Sequence, residues 1–226
     1  MEKAPGIRAR NRRALQDQII AVANQHLISH GAAALSLRAI ARDLGMASSA
    51  IYRYVASRDE LLTVLIINAY DALADDVDAA LAGHVAGPEA RFAIIARTTR
   101  SWALAHPHQY ALIYGSPVPG YDAPGERTNV AGTRVLQHLL RVLVDLPQRE
   151  AGDAKAAAAV APLLELLRSE GHELNAGVAA AGLIGWTLIL GSITAEVFEQ
   201  FGANTIGDKD AMFELTIKCG LQMQTG

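Results

Sequence analysis

The chain has a single cysteine, Cys219, among its 226 residues. One cysteine excludes an intrachain disulfide and any metal site built from cysteine thiolates. Aromatic residues make up only 5% of the chain, and β-branched residues are sparse, whereas alanine and leucine recur throughout. Because alanine and leucine favour helices and no useful length of strand-like alternation is found, the composition predicts an all-α fold.

Signatures of catalysis are also missing. No nucleophile–base pair, zinc-binding histidine motif or glycine-rich phosphate loop stands out. The nearest approach is His106-Pro107-His108, and a lone His-x-His at the start of a helix is weak evidence for a metal. We therefore expect no metal, no cofactor and no enzymatic activity, with an enzyme on a helical scaffold as the alternative.

Positive charge is concentrated near the N-terminus. Residues 1–62 contain nine Lys and Arg against five Asp and Glu, whereas the remainder contains eleven against eighteen. A basic first quarter followed by an acidic remainder predicts a polyanion-binding head on a body with another task. The acidic body argues against a non-specific DNA-binding protein, which needs an extended basic surface.

A run of twenty uncharged residues, 176–195, is long enough to span a bilayer. Glycine, serine and threonine interrupt this run, it continues into Glu196, and no Lys/Arg cluster flanks it. These features favour a buried helix over a membrane span. No apolar segment directly follows the basic N-terminus, so we expect no secretory signal and a cytoplasmic location.

Helical periodicity and end signals divide the chain into ten predicted helices. Gly31 and Gly45 are expected to end the first and second helices, and Ser36, Ser57 and Asp208 to cap the second, fourth and tenth. The predicted helices cover about 10–29, 37–44, 48–55, a long fourth helix from the capping residues 57–60 to the tip near 83, 89–105, 107–115, 127–146, 154–169, 175–201 and 208–221.

The segment LSLRAIARDLGMASSAIYRYVASRDELL, residues 35–62, predicts a helix-turn-helix. Two short helices flank a glycine-containing turn, and the second helix of such a pair enters the major groove, where its first residues meet base edges. Small side chains permit close approach to the groove, and serine hydroxyls donate or accept hydrogen bonds. The residues expected at the base edges are Ala47, Ser48, Ser49 and Ala50.

Larger side chains next to these residues suit phosphates and groove edges. Tyr52, Arg53 and Tyr54 follow on the same short helix, and Arg58 adds its charge to the N-terminus of the fourth helix. The alternative for the two tyrosines is packing inside the small head. For Arg38 on the second helix, the two alternatives are a contact to DNA and an ordinary solvated charge.

This segment, together with the preceding IIAVANQHLISHG, resembles the DNA-binding domain of the tetracycline-repressor (TetR) family over about residues 10–65. The resemblance implies an all-helical homodimer with an N-terminal DNA head and a larger body that binds a small effector. Carried over by position, it implies DNA contacts from Ser36, Ser49, Tyr52, Tyr54 and Arg58. The family often has His and Phe where this chain has Tyr54 and Val55, and usually Lys at Arg58, which leaves the base preference open.

Two domains are expected, a head of residues 1–57 and an effector-binding and dimerisation body of residues 58–226. Polar aromatic residues lie among the apolar helices of the body, as expected of a largely apolar effector pocket with a few orienting polar groups. The alternative is that each packs in the core with one hydrogen bond. The candidate pocket residues are Trp102, His106, Tyr110, Tyr114, Tyr121, His138 and Trp186.

The last two predicted helices carry apolar stripes suited to an isologous four-helix bundle between two copies of the chain. Gly182 and Gly185 would permit the close approach of these helices, although a monomer core is the alternative. The candidate interface residues are Leu190, Ile193, Val197, Phe213, Ile217 and Leu221.

These features together predict a ligand-responsive, sequence-specific transcriptional regulator, with repression as the favoured sign. The predicted partners are a double-stranded DNA operator, a small-molecule effector and a second copy of the chain, with no membrane.

Overall fold

A computed structural model describes residues 6–83, 87–146, 154–169, 171, 173–202 and 204–225. These ranges form helices, turns and loops without a strand, which confirms the all-α prediction. A 3-10 turn, Ala32–Ala34, follows the first helix. The α-helices are α1 (Ile7–His30), α2 (Leu37–Asp43), α3 (Ser48–Ile51), α4 (Arg58–Ala82), α5 (Pro88–Ala105), α6 (Pro107–Tyr114), α7 (Gly125–Asp145), α8 (Ala154–Ala159), α9 (Ala161–Ser169), α10 (Ala176–Val197) and α11 (Lys209–Thr225).

The chain divides into two compact units. Unit 1 contains the residues up to Asp71 together with His106–Ala131, and unit 2 contains Ala72–Ala105 together with the residues from Gly132 onward. The helices α4 and α7 therefore contribute to both units. Unit 1 is larger than the predicted head, because α6 and the loop after it belong to it. The predicted functional boundary between residues 57 and 58 stays a prediction.

The start of unit 1 follows the end signals in the sequence. Gly31 adopts a left-handed φ of 74°, and its N–H donates to the carbonyl oxygen of Leu27, which ends α1. The Ser36 hydroxyl accepts from the amide of Ala39 and caps α2. Gly45, with φ of 65°, turns the chain from α2 toward α3. These local features confirm the predicted stop at Gly31, the cap at Ser36 and the turn at Gly45.

An apolar cluster holds helices of unit 1 together. Ile19 on α1, Ile40 on α2 and Ile51 on α3 are completely buried, and Leu61 joins them from α4. Burying each such side chain contributes about 1.5–3 kcal/mol relative to leaving it exposed. The recognition segment is therefore held from behind by its apolar residues, which leaves its other face free.

In unit 2, α10 packs along α11 and against α7. A Cβ atom added at Gly182 would lie 2.3 Å from the Leu143 Cδ1 atom, so glycine admits the α7 leucine into contact with α10. A Cβ added at Gly220 of α11 would lie 3.5 Å from the Gly185 carbonyl oxygen. Gly182 therefore serves packing within one chain, and the backbone of Gly185 lies beside α11 of the same chain. The dimer interface inferred from these glycines stays a prediction.

Two helix boundaries differ from the prediction. The predicted helix 154–169 is divided into α8 and α9, with a turn at Val160. Pro162 lacks the amide hydrogen that a continuous helix needs at that point. The predicted helix 175–201 ends at Val197, and Glu199 adopts a left-handed φ of 50° just beyond it.

Among the described residues, α10 is the one helix long and apolar enough to cross a membrane, judged by length and composition. Core helices pass the same test. Val178, Ala179, Ile189 and Ile193 of α10 are completely buried within the chain. That burial supports the prediction of a packed helix.

We expect Gly182→Ala to lower the free energy of unfolding by about 1–2 kcal/mol, because overpacking against buried Leu143 outweighs the gain in helix propensity. Chemical denaturation at fixed protein concentration measures this change. Gly83→Ala is the matched control, since a Cβ there meets nothing within 4 Å. Equal stability of the two variants would contradict the packing argument.

Candidate nucleic-acid interface

The helix-turn-helix presents a small, polar face. Ala47, Ser48 and Ser49 are exposed at the start of α3, whereas Ile51 is completely buried behind them. Ala50 is half-buried. The side chains that the sequence predicts for base readout thus lie on the accessible side of the segment, where they can approach a groove.

The α-helical part of the recognition segment ends earlier than predicted. Tyr52 closes α3, and the chain continues in tight turns in which the amides of Arg53 and Tyr54 donate to carbonyl oxygens three residues back. Tyr52 is 46% exposed and Arg53 is exposed, while Tyr54 is half-buried against the apolar cluster of unit 1. Tyr52 and Arg53 are therefore the accessible long side chains of this segment.

Two further candidates lie on α2. Arg38 is exposed, as a phosphate contact requires. The Ser36 hydroxyl already accepts the amide hydrogen of Ala39 at 3.4 Å, although a hydroxyl can still donate its own hydrogen to DNA. Both assignments stay predictions.

Arg58 is held inside unit 1. Its Nη2 atom donates to the carbonyl oxygens of Ala32 and Ala33 at 3.0 and 3.1 Å, and its Nη1 atom lies 3.7 Å from Asp59 Oδ1. The side chain thereby ties the start of α4 to the 3-10 turn that precedes α2. The remaining N–H groups of Arg58 could still bind a phosphate, and that contact stays a prediction. The sequence did not predict the anchoring role.

The first turn of α4 has a second set of contacts. The Ser57 hydroxyl accepts from the Glu60 amide at 3.0 Å, as predicted for a helix cap. The Glu60 carboxylate does not complete the expected reciprocal bond, because Arg127 of α7 binds it in bidentate fashion at 2.6 and 2.8 Å. This guanidinium holds the pKa of Glu60 below its ordinary value of 4.5.

The predicted effector residues in unit 1 do not share one cavity. Tyr110 is completely buried, and its ring centroid lies 5.2 Å from that of Tyr114. Burial raises the pKa of Tyr114. Tyr121 lines a separate cleft, and His106 is exposed. Tyr110 and Tyr114 therefore support the alternative of core packing.

The remaining predicted effector residues belong to unit 2. Trp102 and Trp186 are buried within it. The Nε2 atom of His138 lies 2.6 Å from Asp78 Oδ1, and Arg134 contacts the same carboxylate at 2.7 Å. His138 is thus engaged in an ion-pair network, and its role in binding an effector stays a prediction.

The predicted dimer residues fall into two groups. Ile193, Phe213 and Ile217 are at most 3% exposed within their own chain. A side chain covered in this way cannot supply contact area to a second copy, so these three are core residues and their assignment is corrected. The others are partly accessible: Leu190, Val197 and Leu221.

Sequence reasoning missed the exposed apolar faces of α10 and α11. The exposed residues of each face are spaced three and four residues apart, as expected for one side of a helix. The buried apolar residues of the same helices have the same spacing, so the two stripes look alike in the sequence. Only burial separates the two stripes. The exposed residues are Ile184, Leu188 and Gly191 on α10 and Met212, Leu215 and Cys219 on α11.

Within the described part of the chain, no group of three or more His, Cys, Asp or Glu could hold a metal ion.

Two family models match the chain. The model of the tetR family of bacterial regulatory proteins matches residues 19–65, and that of the tetracyclin repressor-like C-terminal domain matches residues 92–219. The second match alone covers more than half of the chain. The chain therefore belongs to the TetR family of transcriptional regulators.

Similar proteins agree with this assignment. The HTH-type transcriptional regulator Rv1816 of Mycobacterium tuberculosis is 42% identical over 216 residues, which is 92% of each protein. The structure of the regulatory protein SCO4313 superposes with a TM-score of 0.81 at 31% identity, over 97% of this chain and 100% of that one. A protein from Rhodococcus sp. RHA1, at 21% identity and a TM-score of 0.66 over 92% of this chain and 94% of that one, shows the same fold.

The chain is accordingly a transcriptional regulator with a helix-turn-helix DNA-binding domain, and not an enzyme.

Two arginine variants separate anchoring from phosphate binding. Arg58→Ala should lower the free energy of unfolding by about 1–2 kcal/mol, because two charge-assisted hydrogen bonds are lost. Arg53→Ala should leave stability unchanged and reduce the slope of log affinity against log salt by about 0.9. Denaturation and DNA binding at several salt concentrations measure the two effects. A reduced salt slope in stable Arg58→Ala would restore Arg58 as a phosphate contact.

The depressed pKa of Glu60 predicts a pH dependence of stability. A carboxylate whose pKa is lowered on folding contributes stability above its ordinary pKa, and this contribution is lost as the pH falls. The stability difference between wild type and Glu60→Gln should therefore shrink as the pH falls from neutral to below about 4. Denaturation across this pH range is the measurement, with exposed Glu126→Gln as the control. A difference that stays constant would exclude the Glu60–Arg127 pair as a source of stability.

Proposed function

We propose that this chain is a ligand-responsive repressor that binds a palindromic operator as a homodimer in the cytoplasm. The observation that carries the proposal is the recognition segment, whose small polar residues are exposed while its apolar residues are buried. This arrangement leaves hydrogen-bonding groups free to read base edges.

Within the recognition segment, we assign base-edge contacts to Ser48 and Ser49 and close approach to Ala47 and Ala50. Tyr52 and Arg53 supply phosphate and groove contacts, with Arg38 on α2. These roles rest on exposure and side-chain chemistry. Ser36, Tyr54 and Arg58 take secondary roles, because each already has a partner or is half-buried in unit 1.

The proposed dimer uses the exposed apolar faces of α10 and α11. Ile184 is 56% exposed and Leu215 is 58% exposed in the single chain, and contiguous exposed apolar surface is costly in water unless a partner covers it. Two helices from each copy would form a four-helix interface around a twofold axis. Such symmetry predicts operator half-sites about one helical turn apart.

Repression would be relieved when an effector favours a spacing of the two heads that no longer fits the operator. The effector can do so only by binding the two states with different affinity.

The first test is selection of randomised duplex DNA on the purified protein at near-physiological salt, followed by sequencing of the bound pool. We expect an inverted repeat to be enriched, and Tyr52→Ala to lose or weaken that enrichment. Enrichment of a single half-site without symmetry would contradict the dimer. Enrichment unaffected by Tyr52→Ala would place recognition elsewhere.

The dimer interface is tested by Leu188→Asp, which buries an unpaired charge if α10 faces its copy. We expect this variant to be a monomer in sedimentation and to lose affinity for the two-half-site operator. Ile28→Asp, at an apolar residue of α1 that is 52% exposed against 37% for Leu188, should remain a dimer. A dimeric Leu188→Asp variant would move the interface away from this face.

A further inference from the structure

Residues 115–124, here called the strap, connect α6 to α7 within unit 1. Three prolines and two glycines interrupt this segment, and Gly120 adopts a left-handed φ of 75°. Val118 and Tyr121 nevertheless pack against the apolar cluster of the helix-turn-helix. The strap is therefore an ordered segment in direct contact with the DNA-binding fold.

Cavities lie on both sides of the strap. One, with a volume of about 300 Å³, lies between the strap, α4 and the start of α7, and we call it the strap cleft. The other, of about 270 Å³, separates the strap from the end of α1 and the 3-10 turn. Both are clefts open to solvent, and a segment bordered by unfilled clefts has room to shift.

The strap cleft has apolar and aromatic walls with a few hydroxyl groups. Its main lining residues are Ile66, Tyr70, Ile113, Val118, Tyr121 and Thr128. Such walls and a volume at the lower end of the range for ligand pockets suit a small, mostly apolar molecule.

The charge of the lining limits the ligand further. Asp122 is the charged residue among the described residues that line the cleft, and no lysine, arginine or histidine joins it. A negatively charged ligand would lie beside the Asp122 carboxylate, and the nearby Arg127 guanidinium is already paired with Glu60. The Tyr121 and Thr128 hydroxyl groups already donate their hydrogens to Thr63 and Pro124, so their oxygen atoms can accept a hydrogen bond from a ligand hydroxyl. The cleft therefore favours an uncharged ligand with one polar end.

One wall of the cleft is also an anchor of the DNA-binding fold. The Tyr121 hydroxyl lies 2.9 Å from Thr63 Oγ1, in the second turn of α4. Arg127, four residues after Ala123 of the cleft and in the first turn of α7, binds the Glu60 carboxylate one turn before Thr63 on α4. The start of α4 is in turn tied to the 3-10 turn before α2 through Arg58. Movement of Tyr121 thus has a short, bonded route to the helix-turn-helix.

We propose that the strap cleft binds an uncharged apolar effector, and that occupancy is transmitted to the helix-turn-helix through the Tyr121–Thr63 hydrogen bond and the Arg127–Glu60 ion pair. This inference rests on the proposed ligand response and names its site and ligand class. A ligand that displaces the Tyr121 ring breaks the bond to Thr63 and releases one of the two anchors on α4. The DNA-binding conformation then loses stability relative to the ligand-bound one.

Binding is tested with a matched pair of probes, 1-decanol and decanoate, which share a chain and differ in charge. Calorimetry on the full chain should show 1-decanol binding and decanoate binding at least about tenfold more weakly, because the anion meets Asp122 while Arg127 is already paired with Glu60. Ala123→Trp, which places an indole in the cleft, should abolish binding of the alcohol. Val130→Trp adds the same bulk at an exposed position outside the cleft and should leave binding intact.

Transmission is tested by operator affinity with and without 1-decanol. The alcohol should weaken operator binding of the wild type by about fivefold or more, as expected of a coupled site. Tyr121→Phe retains the ring but lacks the hydroxyl, so its ligand-free affinity should already be lowered and the alcohol should weaken it less. Thr63→Val should act in the same way, and the double variant should add nothing to either single change.

The outcomes separate the site from the function. Failure of 1-decanol to bind, or equal binding by Ala123→Trp, overturns the site. If 1-decanol binds in the cleft and still weakens operator binding of Tyr121→Phe as much as that of the wild type, the proposed transmission through the Tyr121–Thr63 hydrogen bond is wrong. If the DNA selection finds no operator, the proposed repressor function fails. The strap cleft would still be supported as a ligand site if the wild type binds 1-decanol and Ala123→Trp does not.

Discussion

The anchoring of the first turns of α4 is the constraint on which the arrangement of unit 1 depends. Ser57 caps the helix, Arg58 holds the 3-10 turn, and Glu60 is held by Arg127 in a bidentate pair. The contacts of Arg58 and Glu60 join segments far apart in sequence, whereas the Ser57 cap is local. Ser57 and Glu60 place an acceptor and a negative charge at the helix start, where the unpaired amides favour them. The helix-turn-helix is thereby attached to α4 by bonds with defined geometry as well as by apolar contact.

The candidate DNA surface follows from what the apolar cluster of unit 1 leaves uncovered. Ile51 and Val55 enter the cluster and fix the rotation of the recognition segment about its axis. Ser48, Ser49 and Tyr52 are left exposed by this packing. Recognition chemistry and head stability are thus encoded on opposite faces of one short segment, and substitutions on the two faces should have separable effects.

Unit 2 combines a packed interior with accessible apolar helix faces. Arg100 forms ion pairs with Glu196 and Asp210 and lies 5.0 Å above the ring of Phe213, which joins α5 to α10 and α11. With that side of the helix pair held inside the chain, the opposite residues, such as Ile184 and Leu215, are left exposed. A second copy that covers them would remove apolar area from water, which is the main favourable term in association.

Most of the helices, their glycine and serine ends, and the helix-turn-helix could be predicted from the amino-acid sequence, because these features depend on local spacing and on backbone preferences at residues such as Ser36 and Gly45. The sequence could not determine which of two apolar stripes on α10 and α11 is buried, since Ile193 and Leu188 have the same chemistry and only packing partners distinguish them. It also could not place Arg127 against Glu60 or Tyr121 against Thr63, which lie about sixty residues apart in the chain. Tertiary structure decided these pairs, because a long-range contact depends on how the intervening helices pack.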